Sequence, residues 1–157
     1  MTLPENTILE NRYRVDGLIA HGGNGAIYRA FDLDIAAPVA IKENFLQSPL
    51  HVAQFAQEAK VLAQLHHPLL PQVTHHFSFE GEQYLVMDYI EGENLWALVN
   101  RRGKPLAEAE ALHFFLQVCE AVSYLHQLSP PFIHRDIKPR NIIVTRQGQA
   151  ILVDFGI

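Results

Sequence analysis

The sequence predicts an α+β fold: an antiparallel sheet of five strands with one helix, followed by a segment that is mostly helical. Three observations carry this reading. Short runs rich in β-branched, aromatic and aliphatic residues dominate residues 13–90. One stretch among them, from Ser48 onward, instead places apolar residues three and four apart. From Leu95 to Leu128 that helical spacing takes over.

Nearly half of the 157 residues (48%) are apolar, enough to form a core, and only 18% are charged. This composition excludes a disordered chain and a charged coiled coil. A net charge of −5 argues against nucleic acid as a partner held by overall charge. Cys119 is the single cysteine, so an intrachain disulfide and a cysteine-rich metal site are excluded. No apolar run approaches the ~20 residues of a membrane span, and no signal-peptide pattern opens the chain. The chain therefore reads as cytoplasmic, with no membrane segment.

Taken in order, residues 13–20 form the first predicted strand. His21 to Gly25 holds three glycines in five residues, a turn signal. Residues 26–32 and 39–43 are the next two strands, with Pro38 at the start of the latter, where a missing N–H is tolerated. Ser48-Pro49 reads as a helix N-cap followed by proline at the first helical position. Val52, Phe55, Ala59, Leu62 and Leu65 share one face of that helix, and Pro68 and Pro71 are expected to end it. Residues 73–79 and 84–90 form a hairpin across Glu80-Gly81-Glu82. Residues 91–93 read as a linker. A short helix over 95–100 and a long one over about 107–128 follow. The long one places Leu112, Phe115, Cys119, Val122 and Leu125 on one face, widened by Ala111, Phe114, Val118, Ala121 and Tyr124, which predicts burial nearly all round. Residues 141–145 and 150–154 close the chain as two strands joined through Gln147-Gly148.

The strongest chemical signal is His134-Arg135-Asp136-Ile137-Lys138-Pro139-Arg140-Asn141, followed by Asp154-Phe155-Gly156. Val39-Ala40-Ile41-Lys42 lies on the third predicted strand, and Glu58 on the helix that follows it. Ala20-His21-Gly22-Gly23-Asn24-Gly25 forms the glycine-rich turn. In these residues and their spacing the chain resembles a eukaryotic-type serine/threonine protein kinase. The resemblance implies a protein-kinase-like fold: a complete small lobe over about residues 11–90, then the hinge and the beginning of the helical large lobe over 91–157.

The resemblance also assigns roles. Phosphoryl transfer needs a carboxylate to orient and deprotonate the attacking hydroxyl, and Mg²⁺ on hard oxygen ligands to neutralise phosphate charge. Asp136 would be the catalytic base, and Asn141 and Asp154 the Mg²⁺ ligands. Lys138 would contact the transferring phosphate, and Lys138-Pro139 favours a protein serine or threonine as acceptor. Lys42 would hold the ATP phosphates and pair with Glu58. Gly22, Gly23 and Gly25 would let backbone N–H groups approach the phosphates, with Ala20 standing where the family places its first glycine. That extra methyl predicts weakened ATP binding, and Asn24 in place of a bulkier tip residue predicts poorer exclusion of water. Ile19, Ile27, Ala40 and Ile143 would enclose the adenine, Met87 would be the gatekeeper, and Asp88, Tyr89 and Ile90 the hinge. Asn94 falls where many kinases place a ribose-contacting acid. Leu62, His134 and Phe155 match the spine that couples helix to catalytic loop.

Two further features are read conservatively. The nine histidines include the adjacent pairs His66-His67 and His75-His76, not the i, i+4 pairs that converge on a metal. Trp96 reads as a packing residue. The resemblance runs to Ile157, where a kinase domain would continue with its activation loop and further helices. The chain is therefore expected to be the N-terminal part of a catalytic domain. A missing C-terminal lobe or another chain would then be needed to cover the apolar face of the long helix. Two alternatives stand beside this reading: a truncated pseudokinase or ATP-binding interaction module without catalysis, and a small-molecule kinase on a related fold.

Overall fold

The computed structural model describes residues 2–23, 25–46 and 48–154. The chain forms two compact units, one running to Leu65 and including Gln72–Tyr89, the other made of His66–Pro71 and the chain from Ile90 onward.

The first unit is built on β1 (Ile8–Leu9), β2 (Tyr13–His21), β3 (Gly25–Asp32), β4 (Ala37–Asn44), β5 (Val73–Phe79) and β6 (Glu82–Asp88), with helix α1 (Pro49–Leu62) between β4 and β5. All pairings are antiparallel, in the order β1-β2-β3-β4-β6-β5. Five of these strands are the ones the sequence pattern predicts. The sixth, β1, is two residues long and too short for alternation to register. The β5–β6 hairpin turns on Glu80 and Gly81 alone, with φ of 50° and 89°, the paired left-handed geometry of a two-residue loop. Glu82, expected in the turn, already belongs to β6.

One face of the sheet carries the core of this unit. Tyr13, Tyr28, Val39, Ile41, Phe77 and Val86 are buried in a single cluster there. Each is separated from the next inward residue of its own strand by two positions, as the pleat requires. The ring of Phe77 stacks between Tyr13 and Tyr84, at centroid distances of 5.8 and 5.2 Å. A charge is buried on this same face. Glu43 accepts a hydrogen bond from the Tyr28 hydroxyl at Oε2 and another from the Tyr84 hydroxyl at Oε1, both at 2.7 Å. Burial, reinforced by the Glu43 acceptor, pushes the Tyr28 hydroxyl up to about 12 and raises that of Tyr84 as well. The Leu3 N–H donates to the Tyr28 oxygen at 3.0 Å, tying the N-terminal segment into the same network. At the sheet's far end Arg12 holds buried Asp32 through two bonds of 2.9 and 2.7 Å, and the Arg12 guanidinium keeps that carboxyl below its usual range.

Helix α1 starts as the sequence predicts: the Ser48 hydroxyl accepts from the His51 N–H at 3.3 Å and Pro49 takes the first helical position. Phe55, Ala59 and Leu62 are its buried face. The helix stops at Leu62 with Ala63 as C-cap, ahead of Pro68 and Pro71, and Leu65 is buried beyond the helical turns.

The second unit holds β7 (Glu93–Asn94), α2 (Leu95–Arg102), α3 (Glu108–His126), a 3₁₀ turn at Pro139–Asn141, β8 (Ile142–Val144) and β9 (Ala150–Leu152). The three strands form one antiparallel sheet in the order β7-β8-β9. Glu93, read from the sequence as linker, therefore pairs with Val144. Asn94 caps α2 by accepting the Ala97 N–H at 2.9 Å, and α2 ends at Gly103 in the left-handed conformation (φ 64°). Helix α3 packs on the β8–β9 hairpin, with the Gln117 amide oxygen accepting the Ala150 N–H at 2.9 Å.

The expected all-round burial of α3 is corrected by the structure. Phe114, Val118, Ala121 and Leu125 form its buried face, while Leu112, Phe115, Leu116 and Cys119 are exposed. The helix is apolar on two faces, but the hairpin is wide enough to cover one. No helix among the described residues is long and apolar enough to cross a membrane.

The Glu43 network generates a stability test. Glu43→Ala leaves two buried tyrosine hydroxyls without their acceptor, at roughly 1–3 kcal/mol for each stranded group. The expected outcome in the intact protein is a lower urea midpoint, with Glu43→Gln milder because it keeps one acceptor oxygen. A midpoint unchanged in Glu43→Ala would contradict the role given to this network.

Candidate active site

Strand pairing brings much of the expected nucleotide-binding set onto one face of the first unit's sheet, the face opposite the core. Ala20, Ile27, Lys42 and Leu85 stand opposite one another across β2, β3, β4 and β6. Arg29, Ala40 and Met87 form the neighbouring row, two residues along each strand and so on the same face. Ala40, Lys42 and Met87 are buried. Ile19 falls at the irregularity between Leu18 and Ala20 and is exposed. Helix α1 covers this face, since the Phe55 ring lies 5.6 Å from His76, the residue opposite Leu85. Glu58 is half-buried on that helix, with its Oε1 accepting from the Gln54 amide at 3.1 Å. Lys42 and Glu58 thus belong to the same side of the sheet.

The glycine turn between β2 and β3 closes through Gly22 N–H to Gly25 O at 2.9 Å. Its glycines differ in kind. A Cβ on Gly25 would collide with the Glu43 carbonyl on β4, so the fold itself demands glycine there. Gly22 and Gly23 would meet nothing, and their bare backbone faces open space. Asn24 lies outside the described residues.

In the second unit, the stretch from His134 to Asn141 folds around Asp136. Lys138 Nζ donates to Asp136 Oδ2 at 2.7 Å. The Asn141 amide donates at 2.9 Å both to that oxygen and to the Asp136 carbonyl. The 3₁₀ turn is closed by the Asn141 N–H on the Lys138 carbonyl at 2.8 Å. Burial works against the Asp136 charge, but the bonds from Lys138 and Asn141 outweigh it and hold the carboxyl below the usual carboxylate range. His134 is buried beneath the loop, with its Nδ1 facing the Asp136 N–H at 3.4 Å.

Asp154 reaches this loop through the β8–β9 hairpin. The N–H of its neighbour Val153 donates to the Asn141 carbonyl at 2.9 Å. Arg135 and Asp154 both have positive φ, 66° and 57°, a conformation that L residues adopt rarely and that here flanks the polar cluster on either side. The donor chemistry suits Mg²⁺: because the Asn141 nitrogen is turned to Asp136, its amide oxygen remains, and Asp154 adds a carboxylate, both hard oxygen ligands. Phe155 and Gly156, which complete the sequence motif, lie outside the described residues.

Other residues expected in the site make structural contacts. The Asn94 side-chain oxygen is engaged in capping α2, and Asn94 pairs with Ile143. The Asp88 carboxylate accepts the Gln72 N–H, and the Asp88 N–H donates to the Gln72 carbonyl, both at 3.0 Å. Ile90 is half-buried at the start of its segment. Two features escaped the sequence reading. Glu43 clamps the strand that carries Lys42; the available signal was a charged residue in register with Val39 and Ile41. Trp96, read as packing, is half-exposed and lies under the Arg140 guanidinium at 3.8 Å from its ring centroid. Nothing in the sequence spacing announces that pair.

Comparison with known proteins agrees with this geometry. Residues 13–157 match the family model described as the protein kinase domain. The chain is 33% identical over 158 residues to the probable serine/threonine-protein kinase YbdM of Bacillus subtilis, covering 99% of this chain and 60% of that protein. It is 36% identical over 157 residues to the serine/threonine-protein kinase PknA of Mycobacterium tuberculosis, covering 95% of this chain and 36% of that one. Among solved structures, the apo form of PpkA-294 superimposes with a TM-score of 0.82 at 26% identity, over 99% of this chain and 62% of that chain. The chain thus spans less than two thirds of the length of each of these relatives. With the family motifs in place and the match running nearly end to end, the chain belongs to the protein kinase family.

Proposed function

We propose that the protein carrying this chain transfers the γ-phosphoryl group of Mg-ATP to serine and threonine hydroxyls of protein substrates. The observation that carries this reading is the Asp136 loop, in which one carboxylate is bonded at the same oxygen by Lys138 and Asn141. A carboxylate held low in pKa is a weak base, suited to orienting a hydroxyl and taking its proton as transfer proceeds. Lys138, bonded to the Asp136 carboxylate, would offer its charge to the phosphoryl group being transferred. Asn141 and Asp154 would hold Mg²⁺, which when bound neutralises charge on the phosphates.

On the first unit, Lys42 would bind the phosphates and be held by Glu58, with Gly23 offering its backbone N–H while the Gly22 N–H closes the turn on Gly25. Ile19, Ala20, Ile27, Ala40 and Met87 would line the nucleotide, and Asp88, Ile90, Asn94 and Ile143 would complete the adenosine contacts. In this reading the first unit is the small lobe and the second begins the large one. The protein would act in the cytoplasm, and further protein would cover the apolar face at Leu112, Phe115 and Leu116.

The direct test is phosphoamino-acid analysis after the intact protein is incubated with labelled Mg-ATP and a mixed protein substrate. Phosphoserine and phosphothreonine are expected; label on tyrosine alone, or none, would overturn the reading. Lys42→Met is expected to cost at least about a hundredfold in kcat/KM.

A pH profile tests the electrostatics. The lowered carboxyl of Asp136 keeps the base ionised above its folded pKa and loses it as pH falls through that value. Lys138→Met removes a bond that lowers it, so the acid limb of kcat/KM, followed from about pH 4 to 8, is expected to move to higher pH. An unmoved limb would show that Lys138 does not set the state of Asp136.

A further inference from the structure

We infer that Arg140, stacked on Trp96, is a specificity-determining residue that selects substrates bearing an anionic side chain near the phosphoacceptor. The inference rests on the proposed kinase activity and concerns only the second unit. Arg140 is the residue before Asn141, whose amide is bonded directly to Asp136. It is therefore one residue, about 3.8 Å of backbone, from a group in contact with the proposed base. Any hydroxyl aligned on Asp136 brings its flanking peptide residues, each about 3.3–3.6 Å further along an extended chain, into the reach of an arginine side chain.

The charge of Arg140 is available there. Nearby basic residues face carboxylates: Arg101 is bonded to Glu93, Arg102 to Glu110, and Lys138 to Asp136 itself. Arg140 faces no carboxylate among the described residues; its recorded contact is the Trp96 ring. With its central carbon 3.8 Å from the Trp96 ring centroid, the guanidinium is held against the ring by a contact that uses none of its charge-paired donors. The in-plane N–H donors remain at the edge, where a carboxylate or phosphate can take two of them at once. Arg140 and Trp96 are both solvent-accessible, so a peptide can reach the pair. A purely structural staple between α2 and the loop would be met equally well by an apolar contact and would not discriminate among peptides by charge.

The test uses the intact protein and a serine peptide series carrying Asp, phosphoserine, Ala or Lys at each of the three positions on either side of the acceptor. The expected kcat/KM ratio of acidic to basic peptide is about three- to tenfold at the best position, larger for phosphoserine. Arg140→Ala is expected to bring that ratio close to one, and Arg140→Glu to invert it in favour of Lys. Trp96→Ala, which removes only the stack, is expected to reduce it partway. A ratio that is the same in wild type, Arg140→Ala and Arg140→Glu overturns the inference. Fluorescence anisotropy with labelled peptides in which Ala replaces the acceptor serine decides the matter without turnover. Weaker binding of the acidic or phosphorylated peptide to Arg140→Glu supports the inference, and equal binding overturns it. Absence of phosphorylation of every peptide would count against the kinase reading, while the binding measurement still returns its own answer. Preference for phosphoserine over Asp, or for both alike, identifies which anion is read.

Discussion

Strand β4 is flanked on both edges and buried on both faces, and it carries an opposite charge on each. Its neighbours β3 and β6 take its backbone hydrogen bonds, so the strand cannot slide without breaking two ladders. Toward the core it presents Val39, Ile41 and Glu43; toward the other face it presents Ala40 and Lys42. A one-residue slip would exchange the two sets, moving Lys42 into the tyrosine cluster and Glu43 away from its two hydroxyl donors. The cost of burying a charge without partners therefore specifies the register, and the register specifies where Lys42 stands. Gly25 belongs to the same constraint, because the backbone of β3 comes so close to the Glu43 carbonyl that no side chain fits.

The second unit solves a different problem, holding the Asp136 carboxylate ionised with the Asn141 amide bonded to it. It does so with short-range geometry. The 3₁₀ turn returns Asn141 to Asp136 after four residues, Lys138 closes the circle from within the loop, and the Val153 N–H ties the end of the β8–β9 hairpin, next to Asp154, to the Asn141 carbonyl. Two residues with left-handed backbone, Arg135 and Asp154, bracket the cluster. Such backbone is retained when its surroundings over-determine it, as the bonds to Asp136 and Asn141 do here.

Much of this was legible in the sequence, for identifiable reasons. The motifs around Asp136, Asp154 and Lys42 are short and fixed in spacing, so the family is readable from them without any geometry. Ser48-Pro49 announced the start of α1, and the alternation of β2 to β6 announced the sheet. What escaped is of another kind. β1 and β7 are two-residue pairings, below the length at which periodicity exists. The end of α1 at Leu62 was masked by an apolar pattern that runs on to Leu65. The two apolar faces of α3 are equivalent in sequence, and only the placement of the β8–β9 hairpin selects Phe114 and Val118 over Leu112 and Phe115. The Glu43–tyrosine network and the Arg140–Trp96 stack join residues 15, 41 and 44 positions apart. No local pattern encodes such contacts.

In the proposed function Asp136 acts in phosphoryl transfer rather than in holding nucleotide or fold. The decisive measurement is single-turnover transfer to a serine peptide by the intact protein and by Asp136→Asn, alongside calorimetric Mg-ATP affinity for both. Asparagine keeps the size of the side chain and an acceptor oxygen for Lys138 and Asn141, but it cannot take a proton. The expected result is a transfer rate lower by about 10²–10⁴-fold with ATP affinity nearly unchanged. Transfer within about twofold of wild type, or a loss explained wholly by weaker ATP binding, would contradict the account.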